Sequence, residues 1–307
     1  MTAFIIIFGI TNFTNTIFSK LCSNATRGTS KSTYALYCSL HSAIACLFYF
    51  ISSGASIKLN TATLLYSVFF ALSILVNMII GMLKLRYASI LGAGILISPI
   101  SIIFTSLCGV VIFSETISPS IYYKVALMTV SALLIYTDLR VRTKKSENFT
   151  EKAKSEKPKT DLKKFFPLAL AGVFLGGIQS VIPKLFAISD SVTDEHSFFL
   201  MTNVFMLMGA LMSFAVLAVK EKGNVKSSLV IFEPKRLAPT VLNVVSNNLC
   251  SLVTIPILAV VNLSVYTPVS AAYGVVVSVV SSLCFREKLG VFSYLGAAVA
   301  IIAMLIQ

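Results

Sequence analysis

Ten long apolar runs, at 3–22, 33–52, 63–83, 89–113, 121–138, 166–188, 198–219, 237–261, 264–285 and 292–306, fill most of this 307-residue chain. An α-helix needs about 20 apolar residues to cross about 30 Å of hydrocarbon, at about 1.5 Å per residue. Lipid offers no hydrogen bonds, so only helices or closed barrels satisfy a spanning backbone, and barrel strands would be short and alternating. The unbroken runs therefore predict an all-α membrane protein with ten transmembrane helices. Charged residues make up only 12% of the chain, against about 25% in soluble domains, which excludes soluble enzymes, disordered regulators and secreted disulfide scaffolds. The first run follows Met1-Thr2 with no basic segment or small-residue cleavage site, and is read as a span.

The formal net charge of +13 invites a nucleic-acid reading, but the basic residues lie between apolar runs instead of forming one stripe. Of 25 Lys and Arg residues, 22 follow spans one, three, five, seven and nine, and ten of these lie between Arg140 and Lys164. Only Lys58, Lys124 and Lys184 lie on the other side. Basic loops stay cytoplasmic, so the odd-numbered loops are expected inside and both termini outside a multi-pass protein of the cell (plasma) membrane. Cys22, Cys38, Cys46, Cys108, Cys250 and Cys284 lie in or beside spans with no C-x-x-C pair, which suits small buried hydrophobes better than metal or redox sites. The glycosylation acceptors at Asn24 and Asn148 fall in loops assigned to the cytoplasm and are read as chance matches.

The hydrophilic tract 140–164 separates residues 1–139 from 165–307, and the two halves repeat. Asn15-Thr16-Ile17-Phe18-Ser19-Lys20 aligns with Gln179-Ser180-Val181-Ile182-Pro183-Lys184, each placing a side-chain amide five residues before a lysine. Tyr34-Ala35-Leu36 falls on Phe198-Phe199-Leu200 at the same shift, and Phe113-Ser114-Glu115 matches Phe285-Arg286-Glu287 further on. An odd number of spans per repeat makes the second copy enter the membrane from the opposite side, so the halves are expected to be inverted five-helix repeats. Secondary transporters use this construction, with the substrate held where the halves meet.

The five-plus-five layout, the amide-to-lysine ending of the first span and the Phe-x-Glu closing the fourth resemble the EamA-like drug/metabolite transporter superfamily, over nearly the whole chain. The segments 176–184 and 285–289 carry the best matches. The chain has no Trp, and Asn12-Phe13 and Gly176-Gly177 stand where the family commonly has an aromatic-Gly pair. The resemblance implies two EamA-like repeats joined by a Lys-rich cytoplasmic linker at 140–164.

A path through lipid must offer inward-facing polar groups, because an unpaired one facing hydrocarbon costs several kcal/mol. Helical spacing groups Asn12, Asn15 and Ser19 on span one, Tyr34, Tyr37 and His41 on span two, and Ser73 and Asn77 on span three. Span eight carries Asn243, Asn247, Cys250, Ser251 and Thr254, and span nine Tyr266, Ser270 and Tyr273. The substrate-binding candidates are Asn12, Asn15, Tyr37, His41, Asn77, Gln179, Asn203, Asn243, Asn247 and Tyr273. The alternative for each is a bond between packed helices, worth about 0.6 kcal/mol on average. Lys20 and Lys184 are charged candidates that would meet a carboxylate or phosphate, or else snorkel to the interface as anchors. Glu115 and Glu287 suit structural roles, capping the following turn or pairing with a base. Gly172-x-x-x-Gly176 and Gly296-x-x-x-Ala300 are packing signals.

None of the twelve acids lies mid-span, so the counter-charge needed by an exporter of lipophilic cations is missing. A small neutral, zwitterionic or anionic metabolite, such as an amino acid, moved by alternating access is the expected cargo. The alternative within the superfamily is a drug or toxic-compound exporter; an intramembrane enzyme or a non-transporting scaffold stands further off. No Walker-type phosphate loop occurs, no catalytic residues, metal or cofactor are expected, and the partners are substrate and bilayer, with a monomer or homodimer as the assembly.

Overall fold

A computed structural model describes residues 10–11, 13–14, 17–18, 31–87, 98–116, 119–149, 162–189, 194–220, 229–284 and 290–306. Among these residues there is no strand. The helices are α1 (Lys31–Ser52), α2 (Thr61–Tyr87), α3 (Ser98–Phe113), α4 (Ser120–Phe149), α5 (Leu162–Ile188), α6 (Glu195–Lys220), α7 (Pro234–Val260), α8 (Leu263–Cys284) and α9 (Val291–Leu305), with a 3-10 turn at Leu229–Phe232 before α7. Where they are described, the apolar runs fold as helices. Among the described residues, five stretches are long and apolar enough to cross a membrane: Ser32–Ser52, Ser120–Asp138, Pro167–Ile188, Glu195–Lys220 and Pro234–Val260. Thr61–Asn77, Ile100–Phe113, Leu263–Val277 and Val291–Ala303 are apolar but shorter. Of the expected first span, Ile10, Thr11, Phe13, Thr14, Ile17 and Phe18 are helical. Helix α4 runs past the expected end of its span into the basic tract, as far as Phe149.

Local chemistry sets the helix ends. Helix α1 stops where Gly54 adopts φ +62°, with Ala55 N–H donating to Phe50 C=O and Gly54 N–H to Ile51 C=O, both at 3.1 Å. That left-handed cap satisfies carbonyls the helix cannot. Asn60 caps α2 by accepting from Thr63 N–H at 2.7 Å, and Asp194 caps α6 by accepting from Ser197 N–H at 2.8 Å and its hydroxyl at 2.9 Å. Pro234 starts α7, where its missing N–H costs nothing.

The chain divides into two compact units, Met1–Leu75 with Ile182–Val260, and Val76–Val181 with Val261–Gln307. Each unit draws on both halves of the sequence, and the division falls inside α2 and α5.

In the first unit α1 packs chiefly on α6 and also against α7. Its core is aromatic: Phe186 stacks on Phe198 at 4.3 Å, Phe198 on Phe70 at 5.5 Å, and Tyr49 on Phe199 at 5.2 Å. Such pairs add about 0.5–1.5 kcal/mol each beyond the area they bury.

In the second unit α4 packs chiefly on α9, and α8 packs on α9 and α3. The core is aliphatic, with Ile102, Ile121, Met128 and Ile135 meeting Ala272, Val275, Ala300 and Ala303. The expected packing role of Gly296 is visible: Ser131 Oγ donates to its carbonyl at 2.7 Å, and an added Cβ would lie 2.6 Å from the Ile135 side chain. Gly176 behaves otherwise, with open space where a Cβ would stand, while at its neighbour Gly177 a Cβ would overlap the Phe104 ring. Large apolar side chains such as Ile51, Val111, Val219 and Val260 stay exposed, at 74–80%, as helices surrounded by lipid would leave them.

Candidate functional site: polar side chains paired across the sequence halves

Several candidates nominated by spacing meet one another. In the first unit the Asn243 amide donates to Tyr37 Oη at 3.4 Å, and both residues are buried. His41 lies one turn beyond Tyr37 on α1, the rings 6.3 Å apart and inclined by 52°, and Tyr34 precedes them with its ring 5.9 Å from that of Tyr37. Further along α1, Tyr49 donates its hydroxyl to the Asn248 carbonyl at 3.4 Å. Tyr37 and Tyr49 thus both hold α1 to α7. Among the described residues, His41 Nδ1, Ser42 Oγ and Asn248 Nδ2 are buried with no hydrogen-bond partner.

One other candidate of this unit bonds within its own helix. Asn203 is buried, and its amide donates to the Phe199 carbonyl one turn back at 2.8 Å, inside α6. Asn247 is half-buried, its carbonyl accepting from Ser251 Oγ at 3.0 Å. Lys184, on α5, is buried at 6% exposure.

In the second unit the Asn77 amide donates to Gln179 Oε1 at 3.0 Å, both side chains half-buried. Tyr273 is half-buried on α8. Asn12, Asn15 and Lys20 lie outside the described residues, as does Glu287.

Two acids of the second unit have partners far along the chain. Glu115 accepts from Leu263 N–H at 3.0 Å and Ser264 N–H at 3.5 Å, at the start of α8. Asp138 accepts from Gly290 N–H at 3.0 Å and Ser293 Oγ at 2.7 Å, at the start of α9. Each carboxylate serves as the capping group of a helix that begins about 150 residues later, where it bonds free N–H groups and opposes the positive end of the helix dipole. Glu115 thus caps the start of α8, a helix 148 residues further along the chain than the acid itself. Gly109 makes room for it, since a Cβ there would lie 2.5 Å from Glu115 Oε2.

Spacing overlooks Asn248, which is buried at 3% exposure but falls off the period that joins Asn243, Asn247, Ser251 and Thr254. It overlooks Ser42 as well. A weak signal exists for Asp138: the N-cap of α9 is Gly290, which has no side chain to cap with.

The described helices fit a membrane-embedded, all-helical protein whose polar side chains turn to one another. No protein-family profile and no curated protein matches the chain. The chain is similar to a protein of known crystal structure with a TM-score of 0.61, over 96% of either chain and at 12% identity. At that identity the likeness is one of fold.

Proposed function

We propose that this protein is a ten-span secondary transporter of the drug/metabolite transporter superfamily. In this reading, two inverted five-helix repeats move a small neutral, zwitterionic or anionic metabolite across the cell membrane by alternating access. The odd-numbered loops, including the Lys-rich linker 140–164, face the cytoplasm, and the termini face outward. The observation that carries the reading is the Asn77–Gln179 bond, which joins a polar residue of the first sequence half to one of the second at 3.0 Å. Both were nominated as path-lining groups by spacing and repeat alone. An amide pair held in an apolar bundle presents donors and acceptors where water is scarce, as recognition of a polar solute requires. The Tyr37–Asn243 bond joins the halves in the same way.

The test is uptake of labelled amino acids, sugars, nucleosides and organic acids into liposomes holding the purified protein. Saturable uptake of at least one is expected, weakened by Gln179→Ala without loss of folded protein. Failure across the whole set would remove the transporter reading, and unchanged kinetics in Gln179→Ala would remove this pair from the path.

A further inference from the structure

An arginine at a helix end usually sends its guanidinium out to water. Arg236, in the first turn of α7, does not: its side chain is 28% exposed, and its Nη1 is buried with no hydrogen-bond partner among the described residues. Its ion pair is with Glu233, whose Oε2 stands 3.7 Å from Nε and whose side chain is 56% exposed. A pair so long and so exposed is worth little. Nη1 lies on the edge of the planar group away from the Nε–H, so Glu233 leaves it uncovered. A guanidinium is always charged, and a charged donor held out of water without an acceptor is costly.

Residues 236, 240, 243, 247, 251 and 254 share one stripe of α7, and Thr240 and Asn243 on it are 2% and 6% exposed. Arg236 thus stands at the head of the polar stripe that Asn243 joins to Tyr37 of α1. Tyr37 meets Asn243 and Tyr49 meets Asn248, so α1 and α7 run in the same sense and begin at the same end of the unit. At that end Lys235 and Lys220, the last residue of α6, are exposed, and Glu233 is the one acid among the described residues. Asp194 and Glu195 belong to the other end, where Ser52 at the close of α1 meets His196 at 3.2 Å and the Lys58 N–H donates to Ser197. Lys184 lies toward that other end too, two residues from Phe186, which stacks on Phe198 of α6. The end holding Arg236 is therefore positive. A neutral solute would leave the guanidinium unpaired, whereas a carboxylate or phosphate offers oxygens to two of its N–H groups at once.

We propose that the Arg236 guanidinium recognises the oxyanion, a carboxylate or a phosphate, of a soluble metabolite at the end of the unit where α1 and α7 begin. This rests on the transporter reading above and narrows its cargo to solutes that carry such a group; in the orientation proposed there, Arg236 stands on the cytoplasmic side. The charges of Lys220 and Lys235 draw anions toward it, and the positive end of the α7 dipole adds to the attraction. A lipid headgroup carries the same phosphate, but it stays at the bilayer surface, where Lys235 is exposed, whereas Arg236 Nη1 is turned away from solvent. The occupant is a soluble molecule, and Glu233 is its competitor for the guanidinium.

Thermal unfolding of the purified full-length protein in lipid-free detergent, at fixed ionic strength, tests this. The oxyanion probes are succinate and glucose 6-phosphate, the uncharged control is glucose, and the lipid is dihexanoyl phosphatidylglycerol. Succinate or glucose 6-phosphate should raise the Tm of the native protein by at least about 2 °C, and glucose and the lipid should not. Arg236→Gln should remove the shift, and Arg236→Lys, which keeps the charge but not the fork, should weaken apparent affinity at least about threefold. Glu233→Gln removes the competing carboxylate and should lower the concentration giving half the shift by about threefold. The proposal is overturned by no shift from either oxyanion probe, by an equal shift from glucose, by a shift from the lipid alone, or by a shift that survives in Arg236→Gln. If Arg236→Gln does not fold, the other two variants decide, and unchanged affinity in both overturns the proposal. Shifts as expected without uptake of any solute into liposomes would remove the transporter reading and keep the site. Saturable uptake of succinate or glucose 6-phosphate with an unchanged KM in Arg236→Gln, or uptake confined to sugars and nucleosides, would keep the transporter reading and remove the site.

Discussion

Asp138 near the end of the membrane-length part of α4 takes hydrogen bonds from Ser293 Oγ at 2.7 Å and Gly290 N–H at 3.0 Å, so its carboxylate caps α9 in place of the side chain Gly290 lacks. Ser293 is fully buried and Asp138 nearly so. Losing the acceptor strands a buried hydroxyl and a helix-start N–H, which costs about 1–3 kcal/mol. Asp138→Ala should lower the Tm accordingly, whereas Asp138→Asn, which keeps one acceptor oxygen, should lower it less. Equal losses in the two variants, read by thermal unfolding, would show that the bonds contribute little.

Glu115 and Gly109 act as one unit, because the carboxylate reaches the start of α8 across the space a Gly109 side chain would occupy. Gly109→Ala and Glu115→Ala should each destabilise by about 1–2 kcal/mol. The double variant should be no worse than the more harmful single one, since both remove the same cap. Additive losses would separate the two residues.

For Asn77 and Gln179, a double-mutant cycle on unfolding in mixed micelles should return a coupling of about 0.6 kcal/mol, the usual size for a side-chain bond between membrane helices. A coupling of zero would mean that the 3.0 Å contact stabilises nothing.

Adjacent glycines on α5 should respond in opposite directions. Gly176→Ala meets nothing within 4 Å, so the gain in helix propensity should stabilise by about 0.5–1 kcal/mol. Gly177→Ala meets the Phe104 ring, which also packs edge-on to Phe174 at 4.7 Å, and should destabilise by about 1–3 kcal/mol. Thermal unfolding of the two variants side by side reads the sign directly.

In the proposed orientation, with the basic loops in the cytoplasm, residue 307 lies on the outer side. Alkaline phosphatase fused after Gln307 should be active and a fluorescent reporter at the same place dark, the pattern of an outward terminus. The reverse pattern would invert the whole orientation.

The helices were legible because the apolar runs are long and their spacing local. Tyr37, His41 and Asn243 were legible for the same reason, as polar residues on a repeating face. Their partners were not, because which face of α1 meets which face of α7 depends on packing between residues about 200 positions apart. Asn248 shows the limit: it sits beside Asn247, off the polar period, yet the helix turns it into the protein at 3% exposure. The roles of Glu115 and Asp138 were hidden too, since a carboxylate at a span end reads from sequence as a local cap or an interface charge. The division into two units was equally invisible, because each takes elements from both halves.

The long-range caps also impose an order on biosynthesis. Asp138 is translated 152 residues before Gly290, and at about 5–20 residues per second the ribosome needs roughly 10–30 s to make the intervening chain. Throughout that interval the bonds to Gly290 and Ser293 cannot form, and Glu115 likewise waits for Leu263. A nascent chain thus carries two acids whose capping bonds are completed only once α8 and α9 have been made. A chain that stops before α9 would hold Asp138 without either of the bonds that Gly290 and Ser293 supply.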